Sequence, residues 1–265
     1  MKRGLIVYNS LDREKNSWFI NHALELLNSE DISLSYLDED FVLDYLKTHR
    51  IDFVIYRARN SELVQKLETK GILVFNNSLT NKIANDKYLT YQFFRENKLP
   101  CIESFLDLSK LSFPFIMKSV SGHGGQEVFL IHDESERQGV IAEHPNLRFV
   151  YQNYVQNIGD VRIYVLNNQV IGAVKRTNPQ DYRNNYSLGG EASSYQPSQE
   201  MIKAAEMISR LLGSTYLGVD LLLTKDGYLF NEIEDPVGSR MLLKASGIDS
   251  VTLFLENAKK RVLNK

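Results

Sequence analysis

Short apolar runs alternate with helical patterns in the first eighty residues. Four runs have the length and composition of buried strands: residues 5–8, 33–37, 53–56 and 72–75. Between the first two, apolar residues from Trp18 to Leu27 recur at the spacing of a helix. Strands that alternate with helices usually build a parallel sheet flanked by helices, so this part predicts an α/β domain. The loop after the first strand lacks Gly-x-Gly-x-x-Gly, so no dinucleotide site is predicted.

From residue 81 onward the pattern changes to longer helices and to strands joined by short polar turns. Residues 81–98 predict one helix, which Pro100 ends. Five further strands are predicted at residues 115–120, 127–131, 148–155, 160–166 and 169–176. Helices follow at residues 199–212 and 251–261. Turns such as Asn167-Asn168 indicate antiparallel hairpins, so the second part is α+β, and we predict two domains over residues 1–80 and 81–265.

Three carboxylates come together in a hairpin predicted over residues 218–234. A three-residue loop at 225–227 sets Thr224 opposite Tyr228 and Asp220 opposite Glu232. Glu234 then lies on the same face. Acidic side chains this close repel one another unless a cation lies between them, so this face is a candidate site for Mg²⁺ or Mn²⁺. The alternative is a solvated acidic face on the outside of the hairpin.

The turn at the tip of this hairpin decides the pairing. A two-residue turn at Asp226-Gly227 would set Asp220 opposite Ile233 and scatter the carboxylates. We favour the three-residue loop because it gathers the apolar residues on one face, with Asn231 as the exception. Those residues are Val219, Leu221, Leu223, Leu229 and Ile233.

A lysine and a glycine-rich loop form a second candidate site. Lys118 lies within a predicted strand, where a cation is costly unless it meets an anion. The loop at residues 121–126 joins two strands, and the Gly-Lys-Ser/Thr of a P-loop is absent. Such a hairpin can cover phosphates as a flexible flap that donates backbone N–H groups. A mobile surface hairpin is the alternative.

Composition and charge exclude several classes of protein. The chain has 265 residues, 43% of them hydrophobic, and a net charge of −2, so neither nucleic acid nor an anionic membrane is an expected partner. Cys101 is the only cysteine, which excludes an intramolecular disulfide and fits a reducing compartment. No apolar stretch reaches the length of a membrane span, and the apolar run at the N-terminus is too short for a signal peptide. We expect a cytoplasmic protein.

Several motifs, taken in order, resemble the ATP-grasp superfamily and closely its RimK-type amino-acid ligases. They are Asp86-Lys87, IMKSVSGHGGQEV, YQNYV, DVRIYVLNNQVIGAVKR, Arg183-x-Asn185 with Gly189-Gly190, GVDLLL, FNEIE and ASGID. Each motif is weak alone, but the ordered set is strong, and it covers residues 81–249. The resemblance implies an ATP-grasp fold preceded by a parallel-sheet domain over residues 1–80. It divides the rest into a small nucleotide lobe, 81–155, and a large lobe with the metal site, 156–265.

The resemblance also implies roles for individual residues. Two lysines and the flap glycines would contact phosphates: Lys87, Lys118, Gly122, Gly124 and Gly125. One strand end would hold adenine and one acid would lie near the ribose: Gln152, Asn153, Tyr154 and Val155, then Asp160. The acidic hairpin would hold two Mg²⁺ ions through Asp220, Glu232 and Glu234. Candidates for binding the acyl phosphate and the acceptor carboxylate are Arg176, Arg183 and Asn185, with Arg162 a weaker one.

The implied reaction is ATP-dependent amide formation between a carboxylate and an amine through an acyl phosphate, with release of ADP and phosphate. The amine acceptor would be an amino acid, a peptide or a protein tail, and a homo-oligomer is left open. A nucleotide-binding scaffold or sensor without turnover is the alternative, and phosphoryl transfer without amide formation is a third reading. The sequence departs from the family in two places. Glu234 stands where the family usually has Asn, and residues 235–240 replace a small glycine-containing segment, so Arg240 is open either to a substrate carboxylate or to solvent.

Overall fold

A parallel sheet forms the first part of the chain, as predicted. The computed structural model describes residues 1–178 and 190–265. Its first elements are β1 (Lys2–Tyr8), α1 (Ser17–Leu27), β2 (Ile32–Asp38), α2 (Val42–Tyr45), β3 (Phe53–Tyr56), α3 (Ser61–Thr69) and β4 (Leu73–Phe75). The strands are parallel in the order β2-β1-β3-β4, which confirms all four predicted strands.

Two helices, α4 (Ser78–Ala84) and α5 (Lys87–Glu96), replace the single helix predicted over residues 81–98. The helical prediction was wrong at Asp86, which has extended backbone and accepts hydrogen bonds from the backbone N–H groups of Tyr88 and Leu89, each 2.9 Å. An aspartate in this geometry begins a new helix. Lys87 is therefore the first residue of α5. The predicted domain boundary at residue 80 falls within α4, and the division itself stays a prediction.

The next part is a small antiparallel sheet. Its elements are β5 (Ser104–Phe105), β6 (Phe115–Ser119), β7 (Val128–Ile131), α6 (Glu134–Glu143) and β8 (Phe149–Asn153). The strand order is β5-β8-β6-β7. The glycine-rich loop joins β6 to β7, as predicted. Phe115, Met117 and Ile131 form a small core on one face of the sheet.

A larger antiparallel sheet completes the chain. Its elements are β9 (Asp160–Leu166), β10 (Gln169–Thr177), β11 (Glu191–Ser194), α7 (Gln199–Leu212), β12 (Tyr216–Thr224), β13 (Gly227–Glu234), α8 (Arg240–Ser246) and α9 (Ser250–Leu263). The strand order is β11-β10-β9-β12-β13. Helix α7 has its predicted bounds because Ser198 accepts from the N–H of Met201 and Gly213 adopts a φ of 61°. Helix α8 was not predicted.

Two apolar cores cover the larger sheet. Helix α7 packs on one face through Ala205, Ile208 and Leu212. On the other face a second core extends into the parallel sheet, and Phe254 of α9 contacts both Phe75 and Tyr216 there. This shared core sets the position of the parallel sheet against the larger sheet. Among the helices of the described residues, none has the length and apolar character needed to cross a bilayer.

Asn76 connects the parallel sheet to the larger sheet by hydrogen bonds. Its side-chain oxygen accepts from the backbone N–H groups of Thr215 (2.6 Å) and Tyr216 (3.1 Å). Its amide nitrogen donates to the Tyr216 carbonyl (2.6 Å) and to Asp235 Oδ1 (2.9 Å). Asp235 follows the last residue of β13 and is buried. The Asn76 amide therefore helps to hold the end of β13 in place.

Asn76→Ala should lower the free energy of unfolding by about 1–3 kcal/mol, because it leaves buried backbone groups and a carboxylate oxygen without a partner. Urea unfolding followed by circular dichroism measures the change. Asn264→Ala, at an exposed asparagine near the C-terminus, is the matched control and should change stability by less than about 0.5 kcal/mol. Equal stability of the two variants would contradict this role for Asn76.

Candidate active site

In the acidic hairpin of β12 and β13 the carboxylate residues pair as predicted, but the turn that joins the two strands differs from the prediction. Thr224 pairs with Gly227 across a two-residue turn at residues 225–226, so both turns considered from the sequence were wrong. A bulge at Asn231 then shifts the register by one residue. Asp220 therefore lies opposite Glu232, as predicted.

The two-residue turn changes which side chains face the core. Phe230 pairs with Leu221 and is 1% exposed, so it takes the core position predicted for Leu229. Leu222 turns the other way and lies on the same wall of a cleft as Asp220. Asn231, in the bulge, accepts a hydrogen bond from Lys118 Nζ at 3.0 Å. The bulge thus brings an additional polar contact to the predicted phosphate-binding lysine.

Asp220 is held by two buried arginines. Arg162 donates to both its carboxylate oxygens at 2.7 Å, and Arg176 Nη2 donates to Oδ2 at 2.8 Å. Arg162 Nη2 also lies 2.6 Å from Glu234 Oε1, and Arg176 Nε lies 2.5 Å from Asp160 Oδ1. Burial raises the pKa of Asp220, but the two guanidinium groups outweigh it and hold the pKa well below its ordinary value. Guanidinium groups therefore offset much of the repulsion between the carboxylates.

Glu232 contacts both of the predicted phosphate-binding lysines. Lys87 Nζ lies 3.4 Å from Glu232 Oε2, and Lys118 Nζ lies 3.5 Å from Oε1. Burial lowers the pKa of Lys118 below its ordinary value, although the Glu232 carboxylate opposes this shift. Lys87 Nζ also donates to the carbonyl of Gly122 at 2.7 Å. The glycine-rich loop is thereby tethered above the acidic hairpin.

A cleft of about 870 Å³ lies between the two antiparallel sheets. Every predicted site residue that the structure describes lines this cleft: Lys87, Lys118, Gly122, Gly124, Gly125, Gln152, Asn153, Tyr154, Val155, Asp160, Arg176, Asp220, Glu232 and Glu234. Arg183 and Asn185 lie outside the described residues. Residues from six strands, two loops and helix α5 thus converge on one cavity. Their individual roles stay predictions.

Several cleft residues were not predicted. Ile102, Ile116 and Leu222 give the cleft apolar walls, and His123 and Asn231 add polar groups. One signal was present in the sequence, because Leu222 alternates with Leu221 and shares the face of Asp220 in any regular strand. Ile116 likewise shares the face of Lys118, and His123 lies within the glycine-rich loop, whereas the positions of Ile102 and Asn231 depend on how distant segments pack.

The acidic residues suit a hard cation by their chemistry. Carboxylate oxygens are the ligands that Mg²⁺ and Mn²⁺ prefer. The lysine contacts of Glu232 are longer than a charge-assisted hydrogen bond of about 2.7–2.9 Å, which leaves its oxygens room for another ligand. Within residues 1–178 and 190–265, however, no three metal-ligating side chains are already grouped as a metal site. Glu232 thus suits the ion, whereas Asp220 and Glu234 accept hydrogen bonds from Arg162 and Arg176 in this structure, and the assignment of all three as ligands stays a prediction.

A second and larger cavity, of about 1730 Å³, adjoins the cleft. Of the described residues, five line both cavities and form their shared wall: His123, Gly124, Arg162, Arg176 and Glu234. Outside this wall, the charged residues of the second cavity are mainly basic and include Arg59, Arg240 and Lys244, while Asp12 adds a negative charge. Arg59 comes from the loop after β3 and the other two cations from α8. Two neighbouring cavities can hold two ligands whose reacting groups meet at the shared wall.

Comparison with known proteins places these features in a wider group. A family model described as "RimK-like ATP-grasp domain" matches residues 89–257. A Mycoplasma pneumoniae protein named "Uncharacterized protein MG011 homolog" is 28% identical over 250 residues, covering 92% of this chain and 87% of that protein. A Haemophilus influenzae protein named "Probable alpha-L-glutamate ligase" is 26% identical over 201 residues, covering 71% and 67%. The D-alanine–D-alanine ligase of Bacillus anthracis, solved with ATP, superposes with a TM-score of 0.76 at 16% identity, covering 99% and 98%.

Proposed function

The chain belongs to the RimK-like ATP-grasp family and has the ATP-grasp fold, and from this premise we propose that it is an ATP-dependent carboxylate–amine ligase. One observation carries the proposal. The predicted nucleotide cleft and a basic second cavity share a wall that contains Arg162, Arg176 and Glu234. A ligase of this kind needs such an arrangement, because the phosphate of one ligand must reach the carboxylate of another.

ATP fits the cleft by its chemistry. Ile102, Ile116 and Leu222 offer apolar surface to adenine, beside the strand end at residues 152–155. Lys87 and Lys118 also line the cleft, where they would neutralise the phosphates. Gly124 and Gly125 have φ values of 68° and 75°, a conformation that glycine adopts without strain and that lets a loop present backbone N–H groups. The flap would then cover the phosphates and exclude water.

The proposed reaction has two steps. A substrate carboxylate oxygen attacks the γ-phosphorus and ADP leaves; the amine nitrogen then attacks the acyl carbon and phosphate leaves with the electron pair. The lysines of the cleft and Arg176 would stabilise charge on the transferred phosphoryl group, and positioning supplies much of the rate. Bound Mg²⁺ would add charge neutralisation at Asp220, Glu232 and Glu234. Water exclusion by the flap would protect the acyl phosphate from hydrolysis.

The substrates are proposed by class. An amino acid added to a small molecule, a peptide or a protein tail fits the second cavity, because Arg59, Arg240 and Lys244 would attract carboxylates. The printed name of the Haemophilus influenzae relative, a probable alpha-L-glutamate ligase, is consistent with an amino-acid substrate. A cytoplasmic location stays a prediction, and a homo-oligomer stays open.

Release of ADP and phosphate tests the proposal. Purified protein is incubated with ATP and Mg²⁺ and with amino acids and dipeptides supplied singly and in pairs. ADP and phosphate should appear in stoichiometric amounts with an amide product, and only when both substrates are present. AMP and pyrophosphate would contradict the proposal. Tight ATP binding with no turnover across the panel would favour the nucleotide-binding scaffold, although intact Lys118, Asp220 and Glu232 argue against it.

Arg240→Ala should raise KM for the carboxylate-bearing substrate that fills the second cavity by roughly 10–100-fold, the worth of one hydrogen bond to a charged group. KM for ATP should stay unchanged, because Arg240 lines the second cavity and not the nucleotide cleft. Steady-state kinetics with each substrate varied in turn measures both constants. Arg210→Ala, at an exposed arginine of α7, is the control. A KM that matches the control would show that Arg240 simply faces solvent.

A further inference from the structure

His123 lies at the centre of the glycine-rich loop and lines both cavities. The glycines on either side of His123 define its position in the loop. Gly122, before it, accepts a hydrogen bond from Lys87 Nζ at 2.7 Å, and Lys87 in turn contacts Glu232. Gly124, after it, has a φ of 68°. The imidazole is thereby carried over the boundary where, under the proposed function, the amine meets the acyl phosphate.

The shared wall of the two cavities contains four ionisable groups among the described residues: His123, Arg162, Arg176 and Glu234. Burial lowers the pKa of each arginine, but the surrounding carboxylates outweigh it and hold both pKa values above the ordinary range. Neither arginine can therefore accept a proton. Glu234 Oε1 accepts a hydrogen bond from Arg162 Nη2 at 2.6 Å. His123 is the remaining group of this wall whose nitrogen can take up a proton.

Burial, more than any single neighbouring charge, favours the neutral form of His123. Partial burial and then the charge of Arg59 lower its pKa below the ordinary value, and Lys87 adds to this effect. Asp12 and Glu234 act in the opposite direction but do not cancel it. Arg59 and Asp12 come from loops of the first domain, Lys87 from α5 and Glu234 from β13. A neutral imidazole, which can act as a general base, is thus available at neutral pH.

We propose that His123 is a catalytic residue, the general base that deprotonates the amine acceptor before it attacks the acyl phosphate. This inference rests on the proposed ligase function. The α-amine of a peptide has an ordinary pKa of about 7.7–8.0 and that of a free amino acid is more basic, so either is mostly protonated at pH 7 and cannot attack. The neutral ring nitrogen of His123 takes one N–H proton, and the freed lone pair forms the bond to the acyl carbon. The carbon–oxygen bond to phosphate breaks with its electron pair on phosphate, the leaving phosphate takes the second N–H proton as the amide forms, and the imidazolium returns the first proton to solvent.

The test compares two nucleophiles. Hydroxylamine is largely unprotonated at pH 7 and traps an acyl phosphate as a hydroxamate without needing a base. The amine acceptor is the amino acid or dipeptide of the panel that gives the fastest ADP release with wild type. In His123→Gln, amide formation should fall by roughly 10²-fold relative to hydroxamate formation. In His123→Ala, added imidazole should restore amide formation in proportion to its concentration.

Two further variants make the result specific. His132→Gln alters a histidine that bonds to Glu136 outside both cavities, and its ratio of amide to hydroxamate should equal that of wild type. Asp12→Asn removes the other acid of the second cavity, and a lowered ratio there, with none in His123→Gln, would overturn the assignment. Equal loss of both products in His123→Gln would also overturn it. If wild type forms neither hydroxamate nor amide, the proposed function fails and the inference fails with it.

Discussion

Glu232→Gln should lower kcat/KM for ATP by about 10²–10³-fold with little loss of stability. The Glu232 side chain is partly exposed and contacts both Lys87 and Lys118. Its neutral amide removes the charge that draws the two lysines together and a candidate ligand for the metal. The phosphates would then meet lysines in altered positions, so both ground-state binding and the transition state would suffer. Steady-state ADP release over a range of ATP and Mg²⁺ concentrations measures the effect.

A matched acid in the same hairpin provides the control for Glu232→Gln. Asp226 lies in the two-residue turn, exposed and away from the cleft. Asp226→Asn should keep wild-type kinetics. If Glu232→Gln behaves like Asp226→Asn, the metal and phosphates are bound elsewhere and the placement of the site is wrong.

Asp220→Asn should abolish turnover and also lower the free energy of unfolding by about 3–5 kcal/mol. Asp220 is 4% exposed and accepts hydrogen bonds from Arg162 and Arg176, both buried. The substitution leaves two buried guanidinium groups with too little negative charge nearby. Urea unfolding measures the stability, and ADP release at a temperature where circular dichroism shows a folded variant measures the turnover separately. A stability change of less than about 0.5 kcal/mol, the size expected for the exposed Asp226→Asn, would contradict the network.

The same network predicts how stability depends on pH. Because the folded pKa of Asp220 is lowered, its ionised form stabilises the folded chain. That contribution is complete above the ordinary aspartate pKa of about 3.9 and is lost as the pH falls through the lowered folded value. Wild type should therefore lose stability more steeply than Asp220→Asn below about pH 4.

The fold was largely predictable because its pattern is local. Alternating strands and helices up to β4 and the hairpin of β9 and β10 follow from hydrophobic period and turn residues. Helix α7 was predicted to its bounds because both of its caps are side-chain and glycine features. The split at Asp86 was visible as a capping residue, but the continuous apolar spacing around it indicated one helix. Helix α8 is short and follows a proline-containing segment, so its period was too brief to detect.

The residues that form the candidate site could be predicted from the sequence, but their arrangement could be predicted only in part. The ordered motifs identified fourteen residues that line one cleft. The predicted turn at the tip of the hairpin was wrong. The two-residue turn shifts the register by one residue and the bulge at Asn231 shifts it back, so the residue pattern of the strands does not reveal either feature. The pairing of Arg162 with both Asp220 and Glu234 was also beyond the sequence, because it joins side chains from β9, β12 and β13. Glu234, which stands where the family usually has asparagine, accepts a hydrogen bond from Arg162.

The basic second cavity was only partly anticipated from the sequence, which left Arg240 open as a contact for a substrate carboxylate. Arg59 and Asp12 belong to the first domain, while Arg240 and Lys244 belong to a helix that was not predicted. They meet only because one apolar core joins the parallel sheet to the larger sheet. His123 was visible in the glycine-rich loop, but its place between two cavities depends on the same packing.

Transfer of oxygen from the substrate carboxylate to phosphate tests the central claim most directly. A carboxylate substrate identified by ADP release is labelled with ¹⁸O, and the phosphate released during amide formation is analysed by mass spectrometry. An acyl-phosphate ligase transfers one carboxylate oxygen to each phosphate, so the phosphate should carry one ¹⁸O. Unlabelled phosphate formed together with amide would show that the carboxylate never attacks phosphorus, and it would contradict the proposed function.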